Sequence, residues 1–260
     1  MNKEDLVSVI MPTYNAGKYL ADSINSILNQ SYKNLELLIT DDASTDPTTL
    51  QLLQEFASKD NRVDILYLKE NHGAGYARNQ SIERAKGRYI AFCDSDDRWT
   101  TDKLEKQIAF MNKKKCALSC ASYIIFDGET QNEIGFCTAP KKITYGMMKR
   151  DNKVGCLTAI YDVQMLGRKF FMPTIRKRQD WALFLQIIRE CKVCYAYPNK
   201  PLAYYCMRRN SISSNKMSLM KYNIAVYKEI LGFHPIKANL YFFTLFLPTY
   251  GAKILKRKFD

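Results

Sequence analysis

Gly87-Arg88-Tyr89-Ile90-Ala91-Phe92-Cys93-Asp94-Ser95-Asp96-Asp97 is an apolar run that breaks off on three carboxylates. Tyr89 to Cys93 shows no polar alternation, which is how a strand reads when both of its faces are covered, as in a parallel sheet. Three upstream runs have the same form. Val7 to Met11 ends in Pro12-Thr13-Tyr14-Asn15, Leu35 to Thr40 in Asp41-Asp42-Ala43-Ser44, and Val63 to Leu68 leads to Asn71-His72-Gly73. Between them the apolar residues recur at helical spacing: Leu20, Ile24, Ile27 and Leu28, then Leu50, Leu53 and Phe56, then Tyr76 to Ala85. Leu104, Ile108 and Met111 continue the pattern after the fourth run. Strand and helix in alternation predict βαβ units and an α/β fold, a mainly parallel open sheet flanked by helices.

Beyond Lys115 the pattern loosens. Ala117 to Phe126 reads as one more strand, and Asp127 to Lys153 as mixed strands and loops rich in turn residues and lysines. Helical spacing returns at Trp181, Phe184, Leu185 and Ile188, and again from Leu219 to Leu231. No repeat, low-complexity tract or linker divides the chain.

At 260 residues with 47% hydrophobic and 25% charged content, the chain has ample core for a globular fold and is neither disordered nor fibrous. The net charge of +13 is unevenly spread. Residues 1–140 carry 16 basic against 20 acidic groups (−4), and residues 141–260 carry 23 against 6 (+17). Such a second half suits a phosphate-rich partner: nucleic acid, an anionic membrane face or a diphosphate-bearing small molecule. The acidic, signal-free start Met1-Asn2-Lys3-Glu4-Asp5 implies a cytosolic chain with reduced thiols. Cys191 and Cys194 form one C-x-x-C with no second pair or nearby histidine, so the eight cysteines read as inert rather than as a zinc site. No apolar run reaches the roughly 20 residues that span a bilayer; Leu240 to Leu247 stops at Pro248.

In an open α/β sheet, ligands bind outside the carboxyl ends of the strands. Five carboxylates, Asp41, Asp42, Asp94, Asp96 and Asp97, are predicted on that edge. Like charges crowded together need a cation or hydrogen-bond donors, and hard oxygens suit Mg²⁺ or Mn²⁺. Each cluster alone also reads as an ordinary turn or helix cap. Gly73-Ala74-Gly75-Tyr76-Ala77-Arg78 departs from a dinucleotide fingerprint in its last position; its glycines would let the loop approach a ligand, with Arg78 donating to phosphate or propping up the acidic edge. Only His72 and His234 are present, which leaves little room for Ser-His-Asp or Cys-His chemistry. Asp180 follows Arg176-Lys177-Arg178 and precedes Trp181, and is the one acid between Asp162 and Glu190. It reads either as a tuned general base or as an N-terminal helix charge.

Val7 to Asn15, Asp41 to Asp46, Asn71 to Asn79 and Gly87 to Asp97 together resemble the family 2 glycosyltransferases, inverting enzymes with the type A nucleotide-diphosphosugar transferase fold. The likeness covers about residues 5 to 110; beyond Lys115 it rests on Arg178-Gln179-Asp180-Trp181 and Arg208 to Ser213. It implies a nucleotide-sugar site of Pro12, Thr13, Tyr14, Asn15, Asp42, Arg78, Asp94, Ser95 and Asp96. Within it Tyr14 and Asp42 would meet the base, Asp94 and Asp96 the ribose and metal, and Arg78 the phosphates. Asp96 and Asp97 would hold Mg²⁺ or Mn²⁺, Asp180 would be the catalytic base, and Trp181, Arg208 and Ser211 would face acceptor or diphosphate. Gln179 departs from the glutamate common before that aspartate.

The implied organisation is a transferase domain over 1–215, with a nucleotide-sugar half (1–115) and an acceptor half (116–215), followed by a helical tail over 216–260. The implied reaction moves a sugar from a nucleotide diphosphosugar, a uridine diphosphate sugar first, to a hydroxyl of a glycan or lipid-linked acceptor in bacterial surface polysaccharide or lipopolysaccharide synthesis. The tail, with Tyr241-Phe242-Phe243 followed by Lys253, Lys256, Arg257 and Lys258, either packs on the core or lies on an anionic membrane, which would make the enzyme peripheral on the inner membrane's cytoplasmic face. The rivals are a nucleic-acid-binding protein using the basic half, which leaves both acidic strand ends unexplained, and a nucleotidyltransferase, whose Gly-rich basic loop Thr13 to Lys18 does not supply.

Overall fold

A computed structural model describes residues 5–198, 200–208 and 216–251. The four apolar runs are strands, β1 (Val7–Thr13), β2 (Leu35–Asp41), β3 (Val63–Tyr67) and β4 (Tyr89–Phe92), parallel in the order β3-β2-β1-β4. Every residue of β1 and β4 is buried, as unbroken apolar composition requires. Helices α1 (Leu20–Leu28) and α2 (Pro47–Lys59) cross between the first three strands, and α3 (Ala74–Arg84) leads into β4. Asp46 caps α2 by accepting from the Thr49 amide, ahead of Pro47 in the first turn.

The chain then makes β5 (Arg98–Trp99), α4 (Lys103–Lys114), β6 (Leu118–Cys120), β7 (Tyr123–Asp127), β8 (Glu133–Cys137), β9 (Lys142–Thr144), α5 (Tyr145–Met148), β10 (Ile160–Asp162), α6 (Val163–Leu166), α7 (Gln179–Cys191), β11 (Val193–Ala196) and β12 (Ala203–Met207). The large sheet runs β3-β2-β1-β4-β10-β6-β11-β9, with β10 and β9 opposed to the rest, so it is mainly parallel. Residues of α1, α2 and α4 share one core with Val7, Val9 and Leu37, while Ile82 of α3 and Phe184 of α7 share the other with Ile10, Leu38 and Phe92. The chain therefore switches faces between β1 and β4, which opens a crevice at their carboxyl ends.

Two features differ from the sequence reading. The run Ala117 to Phe126 is two strands: β6 lies in the large sheet and β7 in a second sheet, β5-β12-β7-β8. The backbone parts at Ser122, whose carbonyl accepts from Leu202 while the Cys120 carbonyl accepts from Tyr197. No glycine or proline marks that break, so periodicity alone joins the two. The second sheet, which brings β12 beside β5 and β7, has no local signal either.

The C-terminal region forms α8 (Lys216–Ala225), a π-helical turn Val226–Ile230, and α9 (Pro235–Tyr241) running through a second π turn, Phe242–Phe246, with helical backbone to Gly251. It packs on α7: the Trp181 ring lies 5.7 Å from Tyr227 and 5.6 Å from Phe246. Among the described residues no helix is long and apolar enough to cross a membrane. Ser211 and the cations Lys253, Lys256, Arg257 and Lys258 lie outside the described residues.

Candidate active site

The site begins with two loops tied together at adjacent strand ends. Thr13 pairs with Asp41 in register. Asn15 adopts a left-handed φ of 47°, and its side-chain oxygen accepts from the amides of Thr45 (2.8 Å) and Asp46 (2.9 Å). Its own amide donates to Ser44 Oγ, which in turn donates to Asp41 at 2.5 Å. Asn15 and Asp41 thus spend their polar atoms on loop geometry. Asp42 is buried and accepts from the amides of His72 (2.8 Å) and Gly73 (2.7 Å), drawing the start of α3 under the crevice. Pro12 and Thr13 are buried, and Tyr14 stands out with half of its surface exposed, a ring available for stacking. Thr13 Oγ1 is buried with no hydrogen-bond partner.

The carboxylates after β4 divide into three roles. Asp94 accepts from Arg78 Nη2 at 2.5 Å, and Asp96 pairs with Arg208 Nη2 at 2.6 Å. Asp97 is buried and accepts from the Cys206 amide of β12 at 2.9 Å. Its carboxyl is pushed well above the ordinary range by burial and by the charges of Asp96 and Asp94. Through that bond the group braces the second sheet against the strand end. Burial, with Asp94 adding to it and Arg208 opposing it, lifts Asp96 to about 6. Ser95 lies between them, half-buried.

Arg78 is buried in α3 rather than on the surface. Burial works against its charge, but Asp94, with help from Asp180, holds the guanidinium firmly ionised. Its Nε is buried without a partner. Gly75, one turn earlier, lies against Gln179: an added Cβ would fall 2.3 Å from Gln179 Nε2. The glycine expected to admit a ligand therefore admits the start of α7.

Asp180 sits in the first turn of α7, half-buried, with Oδ2 accepting from Asn152 Nδ2 at 2.8 Å. Asp94 and Asp180 both act on Arg78 and both help raise the thiol of the half-buried Cys156, so charges from four segments share one neighbourhood. Asn152 and Cys156 escape a reading of the sequence; only the turn cluster Arg150 to Lys153 hints at the first. Trp181 is fully buried, and its indole N–H donates to the Met148 carbonyl at 2.7 Å. That corrects its expected place on the acceptor wall: the ring is the core anchor of the helix that carries Asp180.

Beside Asp96 lies a cavity of about 220 Å³ between α1 and the β7–β8 turn, lined by Tyr19, Asp22, Arg98, Phe126 and Glu129 among others. Glu129 accepts from Lys18 at 3.0 Å and from Tyr19 at 2.9 Å, fastening that turn to the residues that lead into α1. Arg208 lies 5.4 Å from the Tyr19 ring centre, which links the same wall to Asp96. A larger cavity of about 370 Å³, lined by Cys116, Met165, Cys191 and Tyr195, opens on the opposite edge of the sheet, away from these groups.

Residues 8–171, more than half of the chain, match the sequence profile of glycosyl transferase family 2. The chain belongs to that family. The glycosyltransferase is 43% identical over 238 residues to TuaG of Bacillus subtilis, a glycosyltransferase named for teichuronic acid biosynthesis, covering 92% of this chain and 93% of that one. It is 38% identical over 216 residues to the Escherichia coli UDP-Glc:alpha-D-GlcNAc-diphosphoundecaprenol beta-1,3-glucosyltransferase WfgD, covering 83% of each. The solved structure of S. aureus TarS 1-349 in complex with UDP-GlcNAc superposes with a TM-score of 0.71 at 21% identity, covering 90% of this chain and 70% of that one, which bears out the fold. Glycosyltransferase activity follows for this enzyme from its family, and the nucleic-acid alternative gains nothing from these relatives.

Proposed function

We propose that this glycosyltransferase moves a sugar from a uridine diphosphosugar to a hydroxyl of a lipid-linked glycan, working peripherally at the cytoplasmic face of an anionic membrane. The observation that carries the reading is that the buried Arg78 pairs with Asp94 and that the carboxylate of Asp180 also bears on the same guanidinium. A lone carboxylate at a helix start stands there beside groups suited to a diphosphate. The UDP-linked donors and the diphosphoundecaprenol acceptor named for its relatives support the choice of substrates.

Tyr14 would stack on the base, with Asp42 and Asn15 shaping the loops around it and Pro12 and Thr13 forming the floor. The orphaned Thr13 Oγ1 and Arg78 Nε are donors that donor-substrate oxygens would satisfy. Arg78 and Arg208 would contact the diphosphate, since guanidinium groups match planar oxyanions. Asn152 fixes one oxygen of Asp180. The other would accept the proton of the acceptor hydroxyl as its oxygen attacks the anomeric carbon from the face opposite the leaving diphosphate. The glycosidic bond forms as the bond to the diphosphate breaks, so configuration inverts.

The residues fit a divalent ion held by Asp96 with Asp94: both offer hard oxygens, and burial keeps the Asp96 carboxyl raised even beside Arg208. Among the described residues no group of three or more His, Cys, Asp or Glu side chains is placed to hold a metal ion by itself, so Mg²⁺ or Mn²⁺ here would take the rest of its shell from water and substrate oxygens. When bound, the ion would neutralise charge developing on the leaving diphosphate. Domain roles follow the same division: residues 1–115 hold the donor, 116–215 face the acceptor, and 216–260 form the tail.

The test is a thermal-shift screen of nucleotide sugars with and without Mn²⁺, paired with turnover of Asp180→Asn. Stabilisation by a uridine diphosphate sugar that strengthens with Mn²⁺ is expected. Asp180→Asn should keep that stabilisation and lose about 10²- to 10⁴-fold in turnover, the range of general-base catalysis; full activity in the variant removes Asp180 from the mechanism.

A further inference from the structure

The helix from Pro235 to Gly251 is apolar on two sides, and the described residues cover only one of them. Ala238, Phe242 and Phe246 point inward and are buried, with the Phe246 ring tilted against Trp181 at 5.6 Å between ring centres. On the outer side Ile236, Leu240, Phe243 and Leu247 are 74%, 58%, 55% and 43% exposed. Their spacing of four, three and four residues makes one continuous stripe about 16 Å long at 1.5 Å rise per residue. Large contiguous apolar surface on a soluble face marks an interaction site. Lys237 is the only charged residue between Pro235 and Gly251.

We infer that this stripe docks on the surface of a bilayer containing anionic phospholipid, lying in the interface without crossing it. Charge selects that occupant. From Lys216 to Asp260 eight basic residues stand against Glu229 and Asp260, and four of the eight, Lys253, Lys256, Arg257 and Lys258, follow the stripe directly in sequence. An apolar face flanked by cations is what an anionic membrane interface accepts. The inner rings bear on Trp181, the residue after Asp180, so a docked stripe holds the active-site helix at a fixed position relative to the membrane. The purpose of the docking rests on the lipid-linked acceptor proposed above, but the docking itself does not depend on that acceptor.

The experiment uses the full chain with vesicles of phosphatidylcholine alone or with roughly a third phosphatidylglycerol, free of donor and acceptor. The protein should co-sediment with the anionic vesicles and release as salt is raised. Leu240→Ser with Phe243→Ser should lower vesicle partitioning at least about tenfold, since each side chain loses its apolar contact, with an unchanged melting temperature. Phe243→Trp in the otherwise intact chain gives a second readout: brominated phosphatidylglycerol should quench it beyond the quenching of Trp99 and Trp181. Equal partitioning of the double variant, or no added quenching, overturns the inference. So does a dimer that the double variant converts to monomer, which would make a second copy the occupant. Loss of nucleotide-sugar stabilisation with vesicle binding intact would count against the donor reading and leave this one standing.

Discussion

At the residue scale, Asp94, Asp96 and Asp180 of the candidate site are held by other side chains, whereas Asp42 and Asp97 are held by backbone amides. Asp42 shows the logic: its two oxygens take the amides of His72 and Gly73, so the residue that would border the nucleotide base also fixes the start of α3. Asp42→Asn replaces an acceptor with a donor facing those amides, and a buried donor left unmet costs about 1–3 kcal/mol. Urea unfolding should show that loss together with weaker nucleotide-sugar binding; unchanged stability would mean that the loop does not need the clamp. The carboxylates at the strand ends were legible in the sequence because Asp at the close of an apolar run has few structural reasons to cluster. Their division of labour was not legible, since Asp97 differs from Asp96 only in which neighbour the next sheet brings against it.

At the scale of elements, α4 carries a charge that its surroundings do not favour. Lys103, at the first turn, is fully buried, its ammonium lies 3.9 Å from the centre of the Trp99 ring, and Nζ has no hydrogen-bond partner. Burial pushes its pKa down to about 7, against a smaller upward pull from Cys93. Below about 7 the charge is carried in both folded and unfolded chains; between there and the unfolded value near 10.4 only the unfolded chain holds the proton. This group therefore makes stability rise with pH across that window. Melting temperatures from pH 6.5 to 9.5 should climb less steeply in Lys103→Met than in the parent; parallel curves would show that Lys103 does not titrate there. The helices themselves followed from 3.6-residue periodicity, because each needs an apolar face to bury. The break between β6 and β7 did not, because a change of sheet leaves the side chains equally apolar.

At the scale of the whole molecule, Trp181 joins parts far apart in sequence. Its N–H meets the Met148 carbonyl at the end of α5, and its ring meets Tyr227 and Phe246 of the C-terminal helices. Trp181→Ala should cost about 3–5 kcal/mol, the range for deleting a large buried ring. Limited proteolysis should then cut first near 216–251, where the inner rings lose their seat; an unaltered digestion pattern would show that the C-terminal helices pack independently of α7. The basic character of the second half was plain from composition. That Arg208 spends its charge on Asp96, and that the terminal helix keeps one apolar face inside and another outside, depends on contacts more than a hundred residues apart or on opposite sides of a helix.

The sequence by itself determined the α/β alternation, the carboxylate-bearing strand ends and the family, since each rests on short-range pattern that any fold of these residues must respect. Tertiary structure alone decided that Asp180 stands by Arg78 and Asp94, that Trp181 is a core anchor, that Asp97 is a brace, and that a second sheet exists. The physical reason is that burial and pairing are properties of what arrives from elsewhere in the chain, and the residues concerned carry no local mark of their eventual partners.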